Sequence, residues 1–277
     1  MGLLGVNMKK KYMIEYDIFD EVMKTLIKED EIKKNVFEGS KKEEGEKKMN
    51  CWEKFELSLS CKDIHRILLY GSPGTGKTSN AIRSRKDGKF SSITLHEESC
   101  VSELLGHWIK KGDGYEYHYG AAIVPFKEGH LLVLNEIDKV SSSVMTSLHN
   151  LLDDKEIAQI HLPNNEVIKC HPNFTVISTM NGLPNDLSDP LLDRFDIIIK
   201  IDTPHPQAIE KLSPDLRDFT KRCYSTSDVS ISYRSIYNFD KLRKSLKNDE
   251  TAGDLVFSND YKEIIATIKL GLREEKK

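Results

Sequence analysis

The sequence predicts an α/β fold in which helices cover both faces of a parallel β-sheet, with a smaller helical domain after it. Three observations lead to this fold class. A glycine-rich turn follows an apolar strand, a second apolar run ends in polar residues, and short strands alternate with helices along residues 61–204. Such alternation is typical of parallel sheets covered on both sides. A chain of 277 residues, 38% of them hydrophobic, is long enough for both parts.

The glycine-rich turn carries the strongest signal. Residues 71–78 fit the pattern G-x-x-x-x-G-K-[ST] at every fixed position, and residues 67–70 and 77–83 predict the strand before it and the helix after it. The backbone N–H groups of this turn can surround a triphosphate at a helix N-terminus. Lys77 would reach the β- and γ-phosphates, and Thr78 would bind Mg²⁺. The expected nucleotide contacts are Gly71, Ser72, Pro73, Gly74, Thr75, Gly76, Lys77, Thr78 and Ser79.

The second apolar run spans residues 131–138 and ends in Asn-Glu-Ile-Asp. A central parallel strand delivers such polar side chains to the carboxyl edge of its sheet. Glu136 at this edge would orient and polarise a water that attacks the γ-phosphate, although a surface acid is the alternative. Asn181 follows the strand predicted at 174–178 and would hydrogen-bond that water and a phosphate oxygen. A turn-forming asparagine is the alternative there.

The remaining predicted elements of the core lie between and after these strands. Residues 106–120 carry aromatic-rich arms around Gly-Asp-Gly, which predicts a hairpin whose aromatic side chains either stack on a substrate chain or base, or pack on the domain beneath. The other predictions are a strand at 92–95, a helix at 101–105, a helix end at 125–129, a helix through 144–152, a hairpin with arms 157–162 and 166–169, a helix at 189–195 and a strand at 196–201.

The two ends of the chain differ from this core. Residues 12–30 predict an amphipathic helix, and residues 39–48 are a charged linker without an apolar residue. Prolines at 204 and 206 mark a boundary, after which only helices are expected, near 207–223, 232–246 and 254–273. The predicted division is therefore 1–60 for the N-terminal helix and linker, 61–204 for the core and 205–277 for a helical lid.

Composition limits the partners and the compartment. The 41 basic and 44 acidic residues give a net charge of −3, so no overall field attracts nucleic acid or an anionic membrane. Five cysteines without a C-x-x-C pair argue against a disulfide framework and a zinc ribbon. Apolar runs are too short for a membrane span. We therefore expect a cytoplasmic protein.

At this point the sequence resembles the MoxR-like branch of the AAA+ ATPases, from about residue 64 to residue 247. The two predicted hairpins match insertions of that branch. The resemblance implies a P-loop AAA+ three-layer αβα core with a C-terminal helical lid, binding ATP and Mg²⁺. It rests on five segments in the family's order: Walker A at 71–78, Walker B at 131–138, sensor 1 at 179–181, the arginine-finger segment at 191–195 and sensor 2 at 231–234.

The resemblance also implies roles for two arginines. Arg194 would reach the γ-phosphate of a neighbouring subunit, because a guanidinium matches phosphate oxygens and is always charged. Its alternative is a salt bridge with Asp193 or Asp196 inside the chain. Arg234 would contact the nucleotide of its own subunit from the lid. The active form would be a homo-oligomeric ring, often a hexamer in the family, that remodels a partner protein, often one of the von Willebrand A type.

One departure from the family pattern concerns the metal. Asn135 stands where the family usually has an aspartate, so a neutral amide replaces a carboxylate beside Mg²⁺. The resulting hypothesis is an enzyme kept active by Glu136, with weakened Mg²⁺ affinity. Two other functions stay open. The aromatic hairpin fits a nucleic-acid-dependent ATPase or translocase, and Asn135 fits a nucleotide-gated scaffold with weak turnover.

Overall fold

A computed structural model describes residues 49–225 and 231–274. The helix predicted at 12–30 and the linker at 39–48 lie outside these residues. The strands are β1 (Arg66–Tyr70), β2 (Phe90–Thr94), β3 (Gly106–Lys111), β4 (Gly114–Tyr119), β5 (Leu131–Asn135), β6 (Gln159–His161), β7 (Val167–Lys169), β8 (Thr175–Met180) and β9 (Ile197–Lys200).

Helices separate the strands of the core and make up the C-terminal part. They are α1 (Cys51–Ser60), α2 (Lys77–Ser84), α3 (Val101–Leu105), α4 (Ile123–Glu128), α5 (Ser142–Leu151), α6 (Asp189–Leu192), α7 (Pro206–Glu210), α8 (Pro214–Ser225), α9 (Tyr233–Leu246), α10 (Asp249–Phe257) and α11 (Tyr261–Glu274). Among the helices of the described residues, none has both the length and the apolar character that crossing a membrane requires.

Five parallel strands form the central sheet in the order β2-β5-β8-β1-β9. Strands β1 and β5 are largely apolar, and most residues of β1, β5 and β8 are buried, as expected for strands covered on both faces. The edge strand β2 alternates between exposed and half-buried residues. The predicted three-layer αβα fold of the P-loop AAA+ type is confirmed.

The register of the sheet fixes where the polar strand ends meet. Thr94 pairs with Asn135, Asn135 pairs with Thr179, and Leu69 pairs with Thr179 on the other side. Because all of these strands run in the same direction, their carboxyl ends lie side by side at one edge of the sheet. The loop at 71–76 leaves β1 at this same edge, so the two predicted nucleotide motifs are brought together.

Two antiparallel hairpins extend from the core, β3–β4 and β6–β7. The aromatic side chains of the first hairpin fall into a packed group and an exposed group, so packing on the domain is observed for the first group, and stacking on a substrate chain or base stays a prediction for the second. Tyr117 and Tyr119 pack against the main apolar core, whereas Trp108 and Tyr115 are 49% and 73% exposed. Tyr119 also donates a hydrogen bond to Glu166 beside the second hairpin. The base of the first hairpin is thereby packed on the domain, and its outer part is exposed.

The C-terminal helices form a second apolar cluster. Where the sequence predicts three helices after residue 204, the described residues form five. The first prediction is interrupted at Ser213, since the residue before a proline is disfavoured in a helix and Pro214 starts α8. The last is interrupted at Ser258, which has a left-handed φ of 51°. The main contributors to the cluster are Leu216, Phe219, Ile236, Phe239 and Ile265.

Helix α1 was not among the predicted elements. Asn50 caps it, accepting from the N–H groups of Trp52 and Glu53, while Glu53 accepts from the N–H of Asn50. Trp52 is buried and donates its indole N–H to the carbonyl oxygen of Thr203 at 2.8 Å. The capping box was visible in the sequence, but the docking against the residues after β9 was not. The domain boundaries at 60 and 204 remain a proposal.

Asp240 organises the lid from a buried position. It accepts hydrogen bonds from the backbone N–H and hydroxyl of Ser213 at 3.1 and 2.7 Å, from Arg243 at 3.1 Å and from Lys244 at 2.6 Å. Burial by itself raises the pKa of this carboxyl, but the hydrogen bonds outweigh burial, so its pKa lies below the ordinary value. The ionised form of Asp240 therefore stabilises the folded lid.

We expect Asp240→Asn to lower the free energy of unfolding by about 2–4 kcal/mol at pH 7, since a charged acceptor of several buried donors is lost. A folded-state pKa below the unfolded one gives stabilisation that is complete above the unfolded pKa, near pH 4, and is lost as the pH falls further. Urea unfolding at pH 7 and pH 3 checks this, with exposed Asp254→Asn as control. An equal difference at both pH values would contradict it.

Candidate nucleotide-binding site

The loop at 71–76 is shaped by glycines with positive φ angles. Gly71 has a φ of 131°, and a Cβ placed on it would lie 2.4 Å from the carbonyl oxygen of Ile201, just after β9. No other residue type fits this close approach without moving the backbone. The loop thus leaves the sheet against the end of β9 and then enters α2 at Gly76, with its N–H groups at the helix N-terminus.

Lys77, the first residue of α2, is held inside the loop. Its ammonium donates to the carbonyl oxygens of Gly71 at 2.7 Å and Ser72 at 2.9 Å, and to Oδ1 of Asn181 at 3.0 Å. Burial lowers the pKa of Lys77 to about 8, and the Asp138 carboxylate opposes this. A buried cation with three uncharged acceptors favours an anion beside it. These residues therefore fit a nucleotide phosphate.

Thr78 and Asn135 meet at the edge of the sheet. The Thr78 hydroxyl donates to Oδ1 of Asn135 at 2.8 Å, and the Thr179 hydroxyl donates to the same oxygen at 3.2 Å. The Asn135 amide nitrogen donates to the Ser92 hydroxyl at 3.0 Å and to the Ile93 carbonyl at 3.3 Å. The amide is therefore fixed with its oxygen towards α2. These oxygen atoms suit Mg²⁺, a hard cation that prefers oxygen ligands.

An aspartate could not make the same contacts at position 135. A carboxylate cannot donate to the Ile93 carbonyl, which now accepts from the Asn135 amide at 3.3 Å. The surroundings of this side chain thus match an amide, because its oxygen accepts hydrogen bonds and its nitrogen donates them. Asn135 therefore joins β2 to α2 as a neutral group.

Glu136 follows β5 directly and is half-buried. Its backbone is left-handed, with φ 56° and ψ 47°, which costs a non-glycine residue on the order of 1 kcal/mol. The chain then forms a short 3-10 turn, Ile137–Lys139. This turn buries Ile137 in the core and leaves Glu136 at the carboxyl end of the strand, beside Asn135.

The first turn of the lid helix α9 lies against the phosphate loop. A Cβ placed on Gly74 would stand 3.2 Å from the Cβ of Ser232 and 3.6 Å from the Cβ of Arg234. Ser232 caps the helix by accepting from the N–H of Ser235. Arg234 is exposed. The structure thus places Arg234 beside the loop, and its contact with nucleotide stays a prediction.

Arg194 makes its contacts elsewhere. Its guanidinium donates to the carbonyl oxygens of His149 at 3.3 Å and Pro190 at 2.7 Å. Asp196, one of its two suggested partners, accepts from Arg66 at 2.5 and 3.1 Å. Within the described residues, no hydrogen bond of Arg194 reaches the phosphate loop. Its action on a neighbouring subunit stays a prediction.

The structure adds three polar residues that the sequence analysis did not assign to the site. Thr179 and Ser92 hold the Asn135 amide, and Asp138 acts electrostatically on Lys77. Thr179 begins the sensor 1 segment at 179–181 and Asp138 ends the Walker B segment at 131–138, so both lay inside recognised motifs without a role assigned to them. Ser92 had no local signal, because only the pairing of β2 with β5 brings it to Asn135.

Comparison with known proteins agrees with this geometry. The family described as "AAA domain (dynein-related subfamily)" matches residues 66–195. Midasin of Dictyostelium discoideum is 32% identical over 121 residues, which is 42% of this chain and 2% of midasin. Protein NorQ of Paracoccus denitrificans is 26% identical over 145 residues, covering 50% of this chain and 53% of NorQ.

A third relative is the Holliday junction branch migration complex subunit RuvB of Mycoplasma genitalium. It is 29% identical over 160 residues, which is 56% of this chain and 47% of RuvB. The chain therefore spans about half the length of NorQ and RuvB, and a small part of midasin. The matched segment, the parallel sheet and the order of the motifs together make residues 66–195 similar to a AAA domain of the dynein-related subfamily, which is consistent with a AAA+ ATPase of the MoxR-like type.

Proposed function

We propose that the protein hydrolyses ATP to ADP and phosphate in a Mg²⁺-dependent reaction, and that it uses this reaction to remodel a partner protein. The observation that carries the proposal is the position of Lys77, a buried ammonium held by loop carbonyls and by Asn181. Asn181 lies at the end of β8, so the phosphate loop and the end of the neighbouring strand converge on one point.

The residues divide the chemistry among them. Lys77 and the loop N–H groups would bind the phosphates, and Arg234 would contact the nucleotide from the lid. Bound Mg²⁺ would neutralise charge on the phosphate oxygens, with Thr78 and Asn135 as the residues that hold it. Glu136 would orient and polarise the attacking water. Asn181 would hydrogen-bond this water and a phosphate oxygen.

The proposed working form is a homo-oligomeric ring, which is often a hexamer in the MoxR-like family, and Arg194 would complete the site of the neighbouring subunit. Arg194 is half-buried and bonded to two carbonyl oxygens, which are weaker partners for a guanidinium than a phosphate. The client would be a protein, with a von Willebrand A-type adaptor as one candidate. The proposed compartment is the cytoplasm.

Lys77→Ala tests the proposal. We expect wild-type protein to bind ATP and release phosphate, and the variant to lose measurable nucleotide binding, because the buried charge that attracts the phosphates is gone. Isothermal titration with ATP and Mg²⁺, and a phosphate-release assay, give the two readouts. Exposed Lys86→Ala, just beyond α2, is the matched control. Wild-type protein that neither binds nor hydrolyses ATP would overturn the proposal.

A second candidate is a nucleic-acid-dependent ATPase. It is favoured by the exposed Trp108 and Tyr115 next to Lys110 in the first hairpin, because such side chains can stack on bases and contact phosphates. The similarity to RuvB points the same way, and the net charge of −3 opposes it. Stimulation of ATP turnover by single- or double-stranded DNA or by RNA, with a steep salt dependence, would favour this candidate over protein remodelling.

A further inference from the structure

Asp138 carries a buried carboxylate oxygen that nothing in the described residues satisfies. Its Oδ1 is shielded from solvent and has no hydrogen-bond partner among them. Buried carboxylate oxygens in proteins are nearly always paired, because an ionised oxygen without a partner loses its hydration without compensation. An unpaired oxygen of this kind marks a position where a further cation or a cation-bound water can be held.

The position of Asp138 ties it to the phosphate site. It follows Glu136 by two residues, in the 3-10 turn Ile137–Lys139, which packs against β8. Its other oxygen, Oδ2, lies 3.4 Å from where a Cβ on Gly182 would be. Gly182 is the neighbour of Asn181, which accepts from the Lys77 ammonium at 3.0 Å. Asp138 is thus next to the strand end that contacts Lys77.

The charge of Asp138 also acts on Lys77 in the phosphate loop. The Asp138 carboxylate attracts the Lys77 ammonium electrostatically. By contrast, Asn135 contributes no charge, and its amide is fully used by Thr78, Thr179 and β2. Of residues 135 and 138, only Asp138 therefore brings a negative charge that acts on Lys77.

We propose that Asp138 supplies the carboxylate charge that favours the Mg²⁺-bound nucleotide in this protein, a task that residue 135 cannot perform as an amide. This inference rests on the proposed function, since it assigns a further residue to the same Mg²⁺–nucleotide site. The inference predicts how Mg²⁺ changes the effect of Asp138 on nucleotide affinity. Asp138 attracts the cation and repels the phosphates, so its removal has opposite effects on nucleotide binding with and without Mg²⁺.

Asp138→Asn tests this with a fluorescent ADP analogue, titrated in Mg²⁺ and again in EDTA. We expect the affinity in Mg²⁺ divided by the affinity in EDTA to fall by about tenfold relative to wild type. This is the order of magnitude for one lost charge contact near a protein surface. In EDTA the variant should bind at least as tightly as wild type. The midpoint temperature of thermal unfolding without nucleotide should be unchanged or slightly higher, because a buried unpaired charge is removed.

Asp186→Asn is the matched control. Its carboxylate also lies beside Gly182, but it is exposed and accepts from the Leu183 N–H at 2.7 Å, so the affinity ratio should stay at the wild-type value. If Asp138→Asn does not fold, Asp138→Ser gives the same readout. A wild-type ratio in the folded variant, or equal weakening in both buffers, would overturn the assignment. Wild-type protein without Mg²⁺-dependent binding would instead count against the proposed function.

Discussion

Glu136→Gln is expected to lower ATP turnover by about 10²–10⁴-fold while nucleotide binding stays close to that of wild type. Glutamine has nearly the same shape but cannot accept a proton from the attacking water. Glu136 lies at the carboxyl end of β5 and follows Asn135, which is bonded to Thr78 of the nucleotide helix. Its proposed effect is therefore on the chemical step and not on affinity.

Steady-state phosphate release and titration with an ATP analogue separate these two effects. Lys77→Ala provides the contrasting control, because it should lose both binding and turnover. Wild-type protein that turns over ATP no faster than Glu136→Gln would contradict the prediction. That result would favour the nucleotide-gated scaffold, in which ATP binding without useful turnover sets the conformation of the lid.

Arg194→Ala is expected to reduce turnover by about 10³-fold or more when all subunits carry it, the effect typical of an arginine that completes a neighbouring site. The loss should be partly reversible in mixed rings. A subunit with Arg194→Ala keeps its own Glu136, and a Glu136→Gln subunit keeps its own Arg194. A site is intact where the Arg194→Ala subunit binds the nucleotide and a Glu136→Gln subunit is the neighbour that supplies Arg194. In a random equal mixture, about one interface in four has this arrangement.

Mixing the two purified variants at several ratios and measuring phosphate release checks this. Glu136→Gln mixed with Lys77→Ala is the matched control and should show no recovery, since neither subunit then has a complete site of its own. Absence of recovery in the Arg194→Ala mixture at every ratio would count against action between subunits. It would leave Arg194 with the role seen inside the chain, where it donates to the carbonyls of His149 and Pro190.

Much of the core was predictable because its signals are local. The helix at Val101–Leu105 has the predicted bounds, and the strand at Leu131–Asn135 begins where the predicted run at 131–138 begins, since continuous apolar runs and short amphipathic patterns depend on few neighbours. The edge strand β2 begins two residues before its prediction, at Phe90, because pairing with β5 and not the apolar pattern decides its start. The break at Ser258 depends on a positive φ angle that no local pattern predicted.

In the candidate site, too, some residues were predictable from local sequence and others only from the tertiary structure. Motif spacing indicated Lys77 and Thr78, because phosphate binding requires a fixed order of residues around a tight turn. Glu136 and Asn181 were indicated by their positions at the carboxyl ends of predicted strands. The sequence also showed that residue 135 is an amide. It could not show that this amide is held by Ser92, which lies 43 positions earlier in the chain, on the adjacent strand.

The sequence by itself determined the fold family, the phosphate loop and the absence of an acid at position 135. These follow from residue types at short, fixed spacings. Only the tertiary structure supports Asp138 as the proposed substitute for that acid, because the unpaired oxygen of Asp138 and its nearness to Gly182 arise from the packing of the 3-10 turn on β8. Electrostatic balance in a buried site depends on distances across the sheet, and these are set by strand order and register rather than by neighbours in the chain.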